Sequence, residues 1–592
     1  MNERELSSLI WSLKYRLRGE RRIVDTFRRV ASAAASVEAD RPRWTETYLT
    51  LLESGQFIPG GRILANAGDR EGETLCNCFV SGEVSPSRDA LMDHFRDVAY
   101  TLASGGGVGL DASPLGPKGT SDAHGRPHTD PLAYLRLLNA AAEAFPAGRR
   151  RHGALMASLS CRHPDINSFV SAQGPDLSHF ALSVQITDEF LKAAIADRRW
   201  RLRHPEGGGA WIRARDLLTQ IASCARRTGA PGLLFIDRIN DDNTLWWRER
   251  LTTANPCGEA PMPAHGACTL GSLNLCTFVL DPLGPAPQID WPGLKSASSL
   301  AIRFLDAILD LTSFPLAAQR DEAIRTRRVG LGVTGLGDAL VFLGASYSSS
   351  HARRLAQDML RVIRNSSYEA SVDLGMEKGS FPELDREKFL QGPFTRRLPE
   401  SIRQSIRRDG LRNGRLLAIA PAGSISLLAG GVSSGIEPVF ASVTRRHLRD
   451  SHGTIHSIDI PSVSLSRWRE LRGGTVPPPP CFVTVEDITP ADQLAMQAAI
   501  QPFIDGAVSK TINLPRSATD QDVENLILEA SRLEIKGCAF FSPDASNDNV
   551  LGSAERFHSQ NTLSIQSGKT IPVHDCSTRA TGRRATFTGK GD

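Results

Sequence analysis

The 592-residue chain has no apolar run near the roughly 20 residues that cross a bilayer. Its N-terminal stretch, MNERELSSLIWSLKYRLRGERR, is a charged helical pattern without an apolar signal core. From these two absences we expect no membrane contact and a cytoplasmic protein. An excess of one charge is missing too: 69 Lys and Arg against 65 Asp and Glu leave +4, too little to require nucleic acid or a membrane surface. Cysteine is sparse, ten in 592 residues, which excludes a disulfide scaffold. Tyrosine is sparser, with six in all and none after Tyr368.

What is present is ordinary for a globular chain with a large core: 41% hydrophobic and 23% charged residues. After a helical N-terminal stretch, helical periodicity alternates with short apolar strands. The stretches GALMASLSC, HFALSVQIT, GLLFID, GRLLAIA, CFVTVED, VSKTINL and IKGCAFF read as strands between helices. With no clear linker between them, they predict one α/β unit with a largely parallel sheet. VPPPPC, 476–481, reads as a stiff loop inside it. The expected divisions are a helical segment over 1–55, the α/β unit over 56–545 and a flexible tail over 546–592. Cys161, Cys224, Cys276, Cys481 and Cys538 lie in apolar or helical surroundings and read as small core residues. Cys76, Cys78, Cys257, Cys268 and Cys576 remain.

Cys257 stands in Asn-Pro-Cys-Gly-Glu, 255–259, inside a run of Pro, Gly and small residues that also holds Cys268. A metal knuckle, a structural disulfide and a redox or radical site are the three readings. With His265, the spacings of these cysteines match no common zinc knuckle, so no protein-held metal is expected. On an extended backbone, Asn255, Cys257 and Glu259 would share a face. A nearby anion raises a thiol's pKa, which suits a thiol that loses a hydrogen atom rather than a proton. GLGVTGLGDAL, 330–340, contains GxGxxG, but IRTRR before it is a poor strand and no acidic residue follows at the ribose distance. Close backbone packing is the better reading. SGGGVGLDASPLGPKG lacks a Walker lysine. In LAIAPAGSISLL a strand ends at Ala420 and Pro421, Ala422, Gly423, Ser424, Ile425 and Ser426 open a helix, where free N–H groups and hydroxyls suit a phosphate, or simply cap the helix.

Seven stretches in order, FIPGGRILANAG, CNCFVSG, SGGGVGL, NPCGE, RRVGLGVTGLGDAL, APAGSISLLAGGVSSGIEPVF and VSKTINLP, resemble blocks of the ribonucleotide reductases. The resemblance spans about residues 57 to 541. It implies a ten-stranded α/β barrel with a cysteine-bearing finger loop at its centre. It implies that Cys257 carries the thiyl radical that attacks the ribose, that Glu259 is the base on the 3′ hydroxyl, and that Asn255 holds that region. Cys78 and Cys268 would supply two electrons and close a disulfide. The 421–426 turn would take the substrate phosphates. Oxygen-dependent members receive their radical from a second subunit through adjacent tyrosines; here that region reads KGCAFF, with Phe540 and Phe541. NPCGE and VSKTINLP are most similar to the adenosylcobalamin-dependent class, so adenosylcobalamin is the expected cofactor, with cobalt carried by it.

Two features depart from the family pattern. Members usually end in a cysteine pair that re-reduces the site, whereas this tail has only Cys576; a thioredoxin- or glutaredoxin-like reductant is therefore expected. The usual acidic residue for the effector's ribose is out of register. Effector loops for deoxynucleoside triphosphates are expected near Lys118 and near Arg149, Arg150 and Arg151. The remaining expectations are a homodimer and a diphosphate substrate. The rival readings are the catalytic chain of an oxygen-dependent enzyme and a catalytically idle nucleotide-binding relative.

Overall fold

The computed structural model describes residues 3–69, 73–122, 124–144, 154–172, 175–203, 209–449, 455–543 and 552–553. Arg149, Arg150, Arg151 and Cys576 lie outside the described residues.

Three helices lead the chain: α1 (Glu3–Lys14), α2 (Ile23–Ala34) and α3 (Arg41–Glu53). Glu3 and Glu5 in the first turn of α1 and Lys14 in the last suit the helix dipole. Its Leu6, Ile10 and Trp11 form one apolar stripe, which packs on Ala422, Ile425, Leu427 and Leu428.

The main sheet has ten strands: β1 (Phe57–Pro59), β2 (Cys78–Val80), β3 (Gly107–Asp111), β4 (Leu155–Ser160), β5 (Phe180–Ile186), β6 (Gly232–Phe235), β7 (Ala267–Asn274), β8 (Val329–Thr334), β9 (Thr511–Asn513) and β10 (Gly537–Phe541). Strands β2 through β6 run parallel in sequence order. β7 and β8 are parallel, as are β9 and β10. Two isolated parallel bridges, Leu331 with Leu417 and Ile419 with Val508, carry the pairing from β8 across residues 417–419 to the chain entering β9. Lys510 O then accepts from Ala539 N of β10. Two parallel halves thus meet at two antiparallel seams, β7 with β2 and β10 with β6, and the hydrogen bonds run round in a ring. β1 lies antiparallel against β7.

The sheet is largely parallel, as expected from the sequence, with antiparallel pairing confined to β1 with β7, β2 with β7 and β6 with β10. GRLLAIA contributes isolated bridges rather than a ladder, and CFVTVED is a loop and a short 3₁₀ turn, Val485–Asp487, rather than a strand. Helices cover each half from outside: 88–103, 131–144 and 214–228 pack over β3–β6, and 291–311 and 350–378 over the other half. Successive strand residues point to opposite faces. Phe79 and Ala267 join the outer core, while Cys78, Val80, Cys268 and Leu270 face inward with Ala260 and Met262. The inner face is therefore where the thiols and the 254–261 loop meet. No helix among the described residues is long and apolar enough to cross a membrane.

Candidate active site

Residues 254–261 form a finger closed by an antiparallel bridge between Ala254 and Pro261. Its tip is a tight turn: Gly258 has φ +81° and donates its N–H to Asn255 O at 3.0 Å, a backbone setting that favours glycine. The finger lies so close to β3 that an added Cβ at Gly109 would stand 1.7 Å from Ala254 O. On its other side Ala507 N donates to Glu259 O at 2.8 Å.

This turn corrects the extended backbone expected for Asn255, Cys257 and Glu259. Cys257 and Glu259 line one open cleft with Cys78, but Asn255 is fully buried behind it. Its Oδ1 accepts from Ala260 N at 2.8 Å and its Nδ2 donates to Cys78 Sγ at 3.0 Å. Glu259 Oε1 stands 3.8 Å from Cys78 Sγ, and Oε2 is buried without a hydrogen-bond partner. Burial raises the Glu259 carboxyl above the usual range. Burial, then the Glu259 carboxylate, push the Cys78 thiol well above its usual value.

Cys78 on β2 and Cys268 on β7 are register partners across the antiparallel seam. Directly opposed residues in such a pair have Cα atoms roughly 4.5–5.5 Å apart, inside the span of a disulfide. Both are buried free thiols. Cys257, half-buried at the turn, is disulfide-bonded in this structure, so chemistry at its sulfur requires reduction first. Cys76 is buried beside Cys268, whose charge is one influence on its thiol after burial itself. Among the cysteines read as core, Cys161, Cys224 and Cys538 are buried, whereas Cys276 and Cys481 are only half-buried. No group of three or more His, Cys, Asp or Glu among the described residues is placed to hold a metal.

Across the cleft from the thiols is the start of the helix Gly423–Leu428, preceded by Ala422 with φ +57°. Pro421, Ala422, Gly423, Ser424 and Ile425 line the cleft. Ser426 does not: its hydroxyl turns inward to Gly423 O and Ser434 Oγ, both at 3.0 Å. The GxGxxG glycines pack rather than bind: an added Cβ at Gly332 would meet Ala418 O at 2.6 Å. Lys118 is exposed and is not among the cleft residues.

Three side chains escaped the sequence reading. Arg62 lines the cleft as a buried cation; it lies inside the FIPGGRILANAG stretch, where its charge was the available signal. Tyr15 of the N-terminal segment donates its hydroxyl to Ser424 Oγ at 2.9 Å. Arg415, buried behind Cys268, had no local signal.

Comparison with known proteins bears on the same residues. The family description "Ribonucleotide reductase, barrel domain" matches residues 76–541, and "Ribonucleotide reductase, all-alpha domain" matches residues 2–72. A Mycobacterium tuberculosis protein named vitamin B12-dependent ribonucleoside-diphosphate reductase is 35% identical over 86% of this chain and 74% of its own length. A Thermoplasma acidophilum protein of the same name is 31% identical over 85% of this chain and 66% of its own. The ribonucleoside-diphosphate reductase subunit alpha of Chlamydia muridarum is 26% identical over 74% of this chain and 46% of its own. With the barrel description covering most of its length, the chain belongs to the ribonucleotide reductase family, as a large, catalytic chain.

Proposed function

We propose that this protein reduces ribonucleotides, expected to be diphosphates, to 2′-deoxyribonucleotides, with adenosylcobalamin as its radical source. The observation that carries this reading is one cleft lined at once by Cys78, Cys257, Glu259 and the 421–425 turn. In it the substrate phosphates would lie against the 421–425 backbone and Arg62, and the ribose over the thiols. The Cys257 thiyl would take the 3′ hydrogen atom. Glu259, with its free Oε2, would accept the 3′ hydroxyl proton. The Cys78 thiol, held protonated by its surroundings, would give its proton to the departing 2′ hydroxyl. As water leaves, Cys268 would give a hydrogen atom to the 2′ carbon and its sulfur would bond to the Cys78 thiolate. The extra electron of that bond would pass to the 3′ ketone as Glu259 returns its proton to the 3′ oxygen, and Cys257 would return the hydrogen atom to the 3′ carbon.

The cofactor fits this site in one respect: Cys257 is half-buried on the open cleft, so once its disulfide is reduced a bound group could reach its sulfur. The adjoining wall is small, Gly105, Gly107 and Ala154, and such a group would stand there. When bound, it would supply the radical that starts the chemistry at the thiol. The relatives named vitamin B12-dependent support this choice, as does Phe540–Phe541 at the end of β10, which offers no phenol to relay a radical. A thioredoxin- or glutaredoxin-like dithiol would re-reduce the pair in a reducing cytoplasm. Deoxyribonucleoside triphosphates would act as effectors on a homodimer, through loops that include Lys118.

The test is deoxynucleotide formation from CDP and CTP, anaerobically in the dark, by the purified chain with excess dithiothreitol. Product with adenosylcobalamin and without a second subunit is expected. A requirement for a separate radical-generating subunit would favour the oxygen-dependent reading. No product under any condition, with nucleotide binding intact, would favour the idle relative.

A further inference from the structure

The two thiols opposed across β2 and β7 have unlike surroundings. Cys78 lines the cleft, and its sulfur takes the Asn255 amide hydrogen bond. Cys268 does not line the cleft. An added Cβ at Gly330 of β8 would stand 3.1 Å from Cys268 Sγ and 3.2 Å from Ala418 Cβ, so that sulfur points away from the opening, toward β8 and the 415–419 segment. On that side is Arg415, 4% exposed. Its Nη1 donates to Pro261 O at 2.6 Å, while Nε and Nη2 are buried without a hydrogen-bond partner. The charged groups that already feel this guanidinium are the Glu259 and Asp505 carboxyls, both buried, and the Cys268 thiol. With two of its N–H groups unbonded it still has donors to offer a thiolate at Cys268.

We propose that Arg415 is a positioning residue that makes the dithiol pair unequal: when the disulfide is re-reduced, the incoming thiolate attacks Cys78 Sγ, and Cys268 departs as a thiolate held by the Arg415 guanidinium. The proposal rests on the reading of Cys78 and Cys268 as the redox pair. In the first step the Cys78–Cys268 bond breaks, its electron pair goes to Cys268 Sγ, and a mixed disulfide joins Cys78 to the reductant. In the second, the reductant's other thiolate attacks its own sulfur in that mixed disulfide and expels Cys78 as a thiolate. The reductant leaves as a disulfide, having given two electrons, and its two protons remain for the restored thiols. The better leaving thiolate departs faster. Burial is the main cause raising both thiols, and the Glu259 carboxylate adds to it at both. It is the next-largest influence at Cys78, opposed there by the Asn255 amide, whereas at Cys268 the Arg415 guanidinium outweighs it and lowers the thiol. The other titratable or charged groups facing Cys268 are Cys76 and Cys78 on the approach to and start of β2, Glu259 on the finger and Arg328 before β8.

The proposal is tested on the full chain, oxidised with diamide without turnover. Glutathione is added, free thiols are trapped with N-ethylmaleimide, and peptides are mapped by mass. Glutathione on Cys78 and maleimide on Cys268 are expected. Glutathione on Cys268, or on both equally, overturns the proposal. Failure of the Cys78–Cys268 disulfide to form at all would instead sink the redox-pair reading beneath it. In a second arm, dithiothreitol reduction of that disulfide is timed across pH in the wild type, Arg415→Met and Arg415→Lys. The Met variant is expected to be roughly tenfold slower near neutral pH, with the Lys variant recovering most of the rate. Equal rates in all three overturn the role of Arg415. If Arg415→Met fails to fold, the Lys variant and the wild-type map decide.

Discussion

Glu259 has two oxygens in unlike settings, one 3.8 Å from Cys78 Sγ and one buried without a partner, and only its ionised form can accept a proton. Because burial raises its pKa above 4.5, activity should rise with pH through a limb above the ordinary glutamate range. A pH profile of kcat/KM checks this. Glu259→Gln should lower kcat by about 10²–10⁴-fold, while substrate affinity stays within a few fold. Cys257→Ser should abolish reduction and leave nucleotide binding, measured by equilibrium dialysis, intact; product from that variant would refute the radical assignment. Cys257 and Glu259 were legible because a thiol and a carboxylate on a Gly/Pro tip are odd company for a core. The place of Asn255 was not, since the turn set by Gly258 breaks the alternation of an extended chain. Arg415 was illegible for another reason: its neighbour Cys268 comes from a distant strand, and nothing within its own GRLLAIA stretch marks it.

At the scale of elements, the site depends on how the finger seats against the ring. Gly109 on β3 leaves room for Ala254 O, which an added Cβ would approach to 1.7 Å. Gly109→Ala should therefore cost about 3 kcal/mol or more through overpacking and displace Cys257, so that kcat falls in whatever protein still folds; thermal unfolding and turnover read both effects. The half of the ring bearing β8 is tied by a buried cluster. Asp306 of the 291–311 helix accepts from Arg327 Nη2 at 2.8 Å, Arg412 Nε at 3.2 Å and Asn413 Nδ2 at 2.9 Å. Burial alone would raise the Asp306 carboxyl, but Arg327 and Arg412 hold it below its usual range. Asp306→Ala should cost about 1.5–3 kcal/mol by removing the buried carboxylate the two cations share, each keeping only the Asp310 carboxylate, at 2.7 Å from Arg327 and 3.5 Å from Arg412. With the folded pKa depressed, that stabilisation is present above the unfolded value of 3.8 and is lost as pH falls through the folded one. The gap in Tm between wild type and variant should accordingly narrow below about pH 4. Helices and longer strands were readable from their periodicity. CFVTVED was not, because a short apolar run beside prolines has no period of its own and its context made it a loop. The antiparallel seams were hidden too, since pairing direction leaves no mark on a single strand.

For the whole molecule, the two parallel halves bring residues from seven separated stretches to one cleft: the 60–62 segment, β2 and its approach, Gly105 with Gly107, Ala154, the finger, β7 and the 420–425 turn. The N-terminal helices take part as well, since Tyr15 bonds to Ser424 and α1 packs against the helix that follows the 421–425 turn. Only the assembled ring makes Cys257, Glu259, Cys78 and Cys268 neighbours, the residues proposed here as radical thiol, base and dithiol, and that arrangement is the centre of the account. One turnover measures it directly. Prereduced protein, freed of external thiols, would be given adenosylcobalamin and CDP or CTP anaerobically, and both product and cysteine state would be followed. The account predicts a single burst of about one deoxynucleotide per chain, with a Cys78–Cys268 disulfide appearing in the same amount. A burst that leaves both thiols free, or that oxidises other cysteines in their place, would contradict it.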